Sequence, residues 1–134
     1  MLRIAISIAL IIHGLAQISG FLHAWTKLDV GYRNNGIIFS STVKAGRPAG
    51  KILSLLWLVA MLCLISGGVL LWSRDLLSDT FIITGTSVSL FSCILWWRDI
   101  PPGAKLGCFF NLILLGILTS PLLDRWHEIL FVQS

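Results

Sequence analysis

The sequence predicts an all-α polytopic membrane protein, an antiparallel bundle of four transmembrane helices. Two observations carry this. All ten basic and six acidic residues lie outside four long apolar runs, residues 4–25, 52–72, 80–97 and 106–123. An apolar helix needs about 20 residues to cross a 30 Å hydrocarbon core, and a charge at its centre costs roughly 2.5 to 3.5 kcal/mol on insertion scales. The second observation is composition. The chain of 134 residues is 56% hydrophobic and only 12% charged, about half the charge fraction of a soluble domain. Its mean hydropathy is +0.89.

The spans leave no room for a second folded unit, so residues 1–134 are read as a single four-helix membrane domain. The first run is longer than the 7–15-residue apolar core of a cleaved leader and ends in His23-Ala24-Trp25, without a small-residue cleavage pattern. It is expected to be retained as a span. The second run follows Pro48-Ala49-Gly50-Lys51, an entry signal for a helix. The third and fourth are joined by the tight Arg98-Asp99-Ile100-Pro101-Pro102-Gly103 connection and form a hairpin. After Pro121, residues 126–132 are amphipathic enough to lie at the interface. Most of the six Trp residues fall at span ends, as interfacial indoles do; Trp57 lies inside the second span.

The formal charge of +4 reflects topology rather than nucleic-acid binding. Loop 26–51 carries Lys27, Arg33, Lys44, Arg47 and Lys51 against Asp29 alone. Basic loops stay cytoplasmic, so loops 26–51 and 98–105 are expected in the cytoplasm and both termini outside, in a bacterial inner membrane. Within the first loop, the apolar triplet Ile37-Ile38-Phe39 is expected on the membrane surface. Cys63, Cys93 and Cys108 lie inside spans without a Cys-x-x-Cys pair, and are read as small apolar fillers.

With charge excluded, the informative residues are the neutral polar ones inside the spans, which in lipid seek partners in the bundle. At 100° per residue, Ala9, His13, Gln17, Gly20 and Ala24 form one stripe of the first helix. Gly85, Ser89, Ser92 and Trp96 form one on the third; Gly107, Asn111 and Leu114 on the fourth; Gly50, Ser54, Trp57 and Met61 on the second. At 1.5 Å per residue, Gln17, Ser89, Ser92 and Asn111 reach a shared depth, with His13 below them near the midplane. Two readings stay open. The residues are interhelical hydrogen-bond glue, or they line a pocket for a hydrophobic small molecule such as a quinone, an isoprenoid or a lipid. In the second reading Gln17, Trp57, Ser89, Ser92 and Asn111 bind the ligand. His13, the one deep ionisable side chain, is then the candidate catalytic acid or base, because an ionisable residue inside a span is a functional hypothesis by default. Asp99 beside Arg98 is expected to form an interfacial pair.

Other chemistries lack their residues. Bis-His haem needs a second deep ligand on the face of His13, and His23 lies off that stripe. Zinc and di-iron sites need clustered His, Cys or carboxylates. Ion coupling needs a carboxylate inside a span. No cofactor is therefore assigned, and no nucleic-acid partner is expected. Membrane lipid, a second copy of the chain, or the subunits of a larger membrane complex remain as partners. In that last case a small-residue face such as Ala16, Gly20 and Ala24 would pack against another chain.

Three stretches carry a resemblance. They are His13-Gly14-Leu15-Ala16-Gln17-Ile18-Ser19-Gly20-Phe21, Pro48-Ala49-Gly50 leading to Leu55-Leu56-Trp57-Leu58-Val59-Ala60, and Lys105-Leu106-Gly107 with Asn111-Leu112-Ile113-Leu114. The pattern resembles a group of small uncharacterised bacterial four-span membrane proteins, and the architecture is similar to that of DoxX-type four-helix proteins. The latter likeness implies quinone-associated redox chemistry.

Overall fold

The computed structural model describes residues 1–26, 28–120 and Glu128. The described chain is helical, with one isolated bridge between Ile37 and Ser40 in a loop turn. The helices are α1 (Leu2–Ala16), α2 (Ile18–Trp25), α3 (Pro48–Trp72), α4 (Leu77–Leu95) and α5 (Pro102–Leu118). α1 and α2 make one rod, Leu2–Trp25. This rod, α3 and α4, of 24, 25 and 19 residues, are long and apolar enough to cross a membrane. They mark an integral membrane protein. α5 is a shorter apolar helix of 17 residues. The end of the fourth expected span and the amphipathic tail lie outside the described residues.

α3 and α5 begin before the apolar runs do, each with Pro in its first turn, where the missing N–H is one of the unbonded donors anyway. Each takes a lysine into that region. Lys51 lies 5.3 Å over the Trp25 ring and Lys105 4.7 Å over Trp97. The apolar stem stays on the helix while the ammonium meets an aromatic face. α3 ends in Schellman geometry. The Asp75 N–H donates to the Leu70 carbonyl (2.9 Å), the Arg74 N–H to that of Leu71 (3.3 Å), and Arg74 takes the left-handed φ of 63°. Leu77 N–H then donates to Asp75 Oδ1 at 2.9 Å and opens the turn into α4.

α3 is the centre of the bundle, with α1 and α2 along one side and α4 along the other; α5 packs along α4. Small residues set these approaches, as expected where lipid supplies no hydrophobic drive between helices. A Cβ on Gly85 would stand 2.9 Å from Cys63 Cβ and Leu64 Cγ, and one on Gly68 2.9 Å from the Ser7 carbonyl. Two apolar clusters result. Leu10, Leu64, Leu71, Ile82, Leu114 and Leu118 fill one half of the bundle. Ala24, Ile37, Trp57, Cys93, Trp96, Ile100 and Cys108 are among those that fill the other.

The long first loop folds back over the second cluster. Arg33 N–H donates to the Asp99 carbonyl at 2.8 Å, and Ile38 N–H to that of Leu95 at 2.8 Å. Asp99 is fully buried. Its Oδ1 accepts from the Asn35 N–H at 2.6 Å and its Oδ2 from the Gly36 N–H at 3.3 Å. The expected Arg98–Asp99 pair is replaced by this main-chain cradle, since Arg98 is exposed and pairs with no acid among the described residues. The apolar triplet splits: Ile37 is buried in the cluster and Phe39 is 80% exposed.

Two predictions follow from this packing. Gly85→Val should separate α3 from α4 and cost about 1–3 kcal/mol. Gly116→Val, where an added Cβ meets nothing within 4 Å, should be near neutral. Unfolding in detergent by a denaturant series checks both. Asp99→Ala should leave the Asn35 and Gly36 amides unbonded, at about 1–3 kcal/mol each, and hydrogen exchange should show them losing protection. Burial pushes the Asp99 carboxyl above the usual carboxylate range, with the two N–H donors opposing. A raised folded-state value means that the folded chain holds the proton more tightly. The contribution of Asp99 to stability therefore falls as pH rises from the usual carboxylate range through its folded value. Asp99→Asn should remove that slope.

Candidate functional site

Between the two apolar clusters the packing is interrupted by a polar layer. Gln17 is buried, Ser89 and Asn111 are fully buried, and His13 is partly so. The first rod breaks at this layer. The Gln17 N–H bonds to the Gly14 carbonyl at 3.0 Å and the Gly20 N–H to that of Gln17 at 3.1 Å, so the helix tightens to three-residue spacing for one step. Ahead of the break the buried line of α1 is Ser7, Leu10 and Gly14; beyond it the line is Gln17, Gly20 and Ala24. The single stripe expected for this rod is therefore broken. Ala9 is exposed and His13 stands at the edge of the bundle.

His13 is joined to two other helices. Its Nε2 lies 2.9 Å from Asn111 Oδ1 on α5, and Asn111 Nδ2 donates to Ser89 Oγ on α4 at 2.8 Å. Gln17 Nε2 lies 3.2 Å from the same His13 nitrogen and 3.4 Å from the His13 carbonyl. Phe110 meets the imidazole edge-on, centroids 5.0 Å apart. The donor sequence has two self-consistent directions, because amide orientation and tautomer are linked. With Asn111 donating to Ser89, its Oδ1 accepts from an Nε2–H on His13, and Gln17 donates to the main chain. With the Asn111 amide reversed, its NH2 donates to a bare Nε2, its oxygen accepts from the Ser89 hydroxyl, and the His13 proton sits on Nδ1. The Cε1–Nδ1 edge lies beside Gly107, where a Cβ would stand 3.1 Å from Cε1 and 3.9 Å from Nδ1.

That edge belongs to the wall of a cavity of about 230 Å³. His13, Ala16, Gln17 and Ser19 form one side, Gly103, Ala104 and Gly107 of α5 the other, and Trp57 and Cys93 are behind. Trp57 is held by Gly20, since a Cβ there would stand 2.5 Å from the indole. Tyr32 and Pro101 close the loop end. Tyr32 OH is 3.2 Å from Ser19 Oγ, and its ring stacks on His23 at 4.9 Å and meets Trp57 at 6.4 Å. Burial pushes the Tyr32 phenol up to about 12, so it stays protonated and neutral at any physiological pH. Among the described residues, no formally charged side chain lines the cavity.

The structure thus brings His13, Gln17, Asn111 and Ser89 into one hydrogen-bonded group and puts Trp57 on the cavity wall. Ser89 and Asn111 stand behind His13 rather than on the wall. Ser92 is separate: its hydroxyl donates to the Val88 carbonyl of its own helix at 2.8 Å, the common fate of a helical serine. Ser19, Tyr32 and Cys93 belong to the cavity but were not singled out from the sequence as site residues. Tyr32 is the one Tyr in the chain, and it sits in a long loop next to a run of turn residues. A lone aromatic there is the signal that could have drawn attention to it. Cys108 Sγ donates to the Ala104 carbonyl of its own helix at 3.5 Å.

No family model, curated protein or solved structure matches this chain.

Asn111→Ala should destabilise by about 1–3 kcal/mol, because it strands both His13 and Ser89. Ser92→Ala removes only a bond within one helix and should change stability by less than about 0.5 kcal/mol. Denaturant unfolding in one detergent, run on both variants, checks the contrast.

Proposed function

We propose that the chain is an integral membrane protein that binds a hydrophobic small molecule, a quinone, an isoprenoid or a lipid, in the cavity beside His13. One observation carries this reading. His13, Gln17, Ser19 and Tyr32, all polar and all uncharged in their ordinary neutral forms, converge on an otherwise apolar space inside the bundle. A few convergent polar groups in an apolar pocket are the usual form of a small-molecule site. Interhelical glue explains the His13–Asn111–Ser89 bonds, but it gives no reason for open space beside them. The basic first loop supports an orientation with that loop in the cytoplasm of a bacterial cell and the cavity near the cytoplasmic face of the inner membrane.

A second reading has its own observation. His13 is oriented through Nε2 by Asn111 while its other edge faces the cavity, the arrangement of a base held by an orienting group. In a membrane enzyme of this kind, His13→Ala would abolish turnover per folded molecule. The reading as a subunit packed through Ala16, Gly20 and Ala24 has less support: Ala16 is exposed, but Trp57 of the same chain packs on Gly20 and Ala24 is buried in the bundle.

Native mass spectrometry from mild detergent tests the binding reading. The wild type should carry a hydrophobic adduct that is enriched over its share of the bulk lipid extract. His13→Leu should lose it by about tenfold, equivalent to about 1.4 kcal/mol, and Ser92→Ala should keep it. Equal adduct on the wild type and on His13→Leu would sink the proposal.

A further inference from the structure

A ligand for this cavity has to extend beyond it. Small-molecule sites occupy roughly 300–1,000 Å³, and this space holds about 230 Å³. A second hollow of about 430 Å³ lies on the outer face of the bundle, lined by Ala9, Ile12, His13, Ala16 and Phe110. The two share His13 and Ala16. Those shared residues lie between the α1–α2 rod, which packs along α3, and α5, which packs along α4. Small residues face each other across this gap: Ala16 on one side, and Gly103, Ala104 and Gly107 on the other. The outer hollow lies on the apolar surface of the spans, beside exposed Ile8, Ile12 and Phe109.

We propose that cavity and groove form one site with a lateral opening to the bilayer, and that its occupant is a single-chain amphiphile with a neutral hydroxyl or carbonyl head. The inference rests on the binding function proposed above and specifies the class of ligand and its route. The head sits against His13, Gln17 and Tyr32. The chain leaves through the gap over Ala16 and lies along Ala9, Ile12 and Phe110. A neutral head is required because, among the described residues, no lysine, arginine or carboxylate lines either space, and an unpaired charge in an apolar site is prohibitively costly. The linked tautomer and amide arrangement lets His13 Nδ1 accept from a hydroxyl or donate to a carbonyl, so either head is satisfied. One chain fits, because the groove is a single hollow of about 430 Å³.

The full chain in phosphatidylcholine nanodiscs tests this with photoreactive probes. These are a diazirine-bearing hexadecanol, a short-chain alcohol with the same diazirine, and hexadecyl phosphate with the same diazirine. Both alcohols should label the cavity peptides around His13 and Ser19, the long one should also label the Ala9–Ile12 and Phe110 peptides, and the phosphate should label neither. Ala9→Trp fills the groove at a lipid-facing position and should cut labelling by the long alcohol about tenfold, leaving the short alcohol unchanged. Ile12→Ala deepens the groove and should raise labelling by the long alcohol, so the test does not depend on one variant. If both alcohols label the cavity but neither substitution affects the long one, the lateral site is overturned and the cavity reading stands. If the phosphate labels as well as the alcohol, the neutral head is overturned. If no probe labels residues 13–19, both readings fail.

Discussion

The hydrogen-bond sequence from His13 through Asn111 to Ser89 is the contact on which the middle of this protein depends. It links the first rod to α5 and α5 to α4 at a level where the two apolar clusters stop. Interhelical bonds of this kind average only about 0.6 kcal/mol in membranes, so their net contribution to stability is small. Their directional effect is larger. An apolar layer would let α5 rotate or slide along α4, whereas an amide satisfied on both sides has one register. The buried amide of Asn111 fixes the face that α5 presents, and with it the position of Gly107 beside the imidazole.

Open space beside His13 follows from how the remaining helices pack. α3 takes the close contacts, through Gly14, Gly68 and Gly85, and draws α1 and α4 onto itself. α5 packs mainly along α4 and meets the first rod at His13, through Asn111 and Phe110. The one-step tightening at Gln17 turns the first rod so that Gly20 and Ala24 pack against α3 while His13 and Ala16 are left at the rim. Trp57 fills the space against Gly20 and forms the back wall.

The loop end is closed by a different device. A carboxylate inside protein is costly unless its oxygens are bonded, and Asp99 meets that requirement with two main-chain N–H groups of the first loop. The loop is thereby fastened to the α4–α5 turn. Ile37 is drawn into the core and Tyr32 is brought over the cavity, where its phenol meets Ser19. A loop that looks like a topological signal in the sequence thus supplies one wall of the candidate site. Its basic residues Arg33, Lys44 and Arg47 remain exposed.

Much of the fold was legible from residue order alone. Exclusion of charge located the four rods, and 3.6-residue periodicity placed Gly85, Ser89, Ser92 and Trp96 on one buried face of α4. These are properties of a residue and its covalent neighbours, and the bilayer enforces them one helix at a time. The nearness of His13, Gln17, Asn111 and Ser89 was legible as a shared depth, because rise per residue is fixed. What each polar group bonds to was not. Ser89 and Ser92 are both serines on one face, yet one accepts from Asn111 and the other turns back on its own helix. The choice depends on how close the neighbouring helix comes. The break at Gln17, the entry of Tyr32 and the burial of Asp99 depend likewise on distances between segments far apart in sequence. The sequence by itself determined which parts of the chain form apolar helices and which polar groups travel with them. Only the tertiary structure decided which of those groups find partners and which face open space, because a hydrogen bond is made or lost over a few tenths of an ångström.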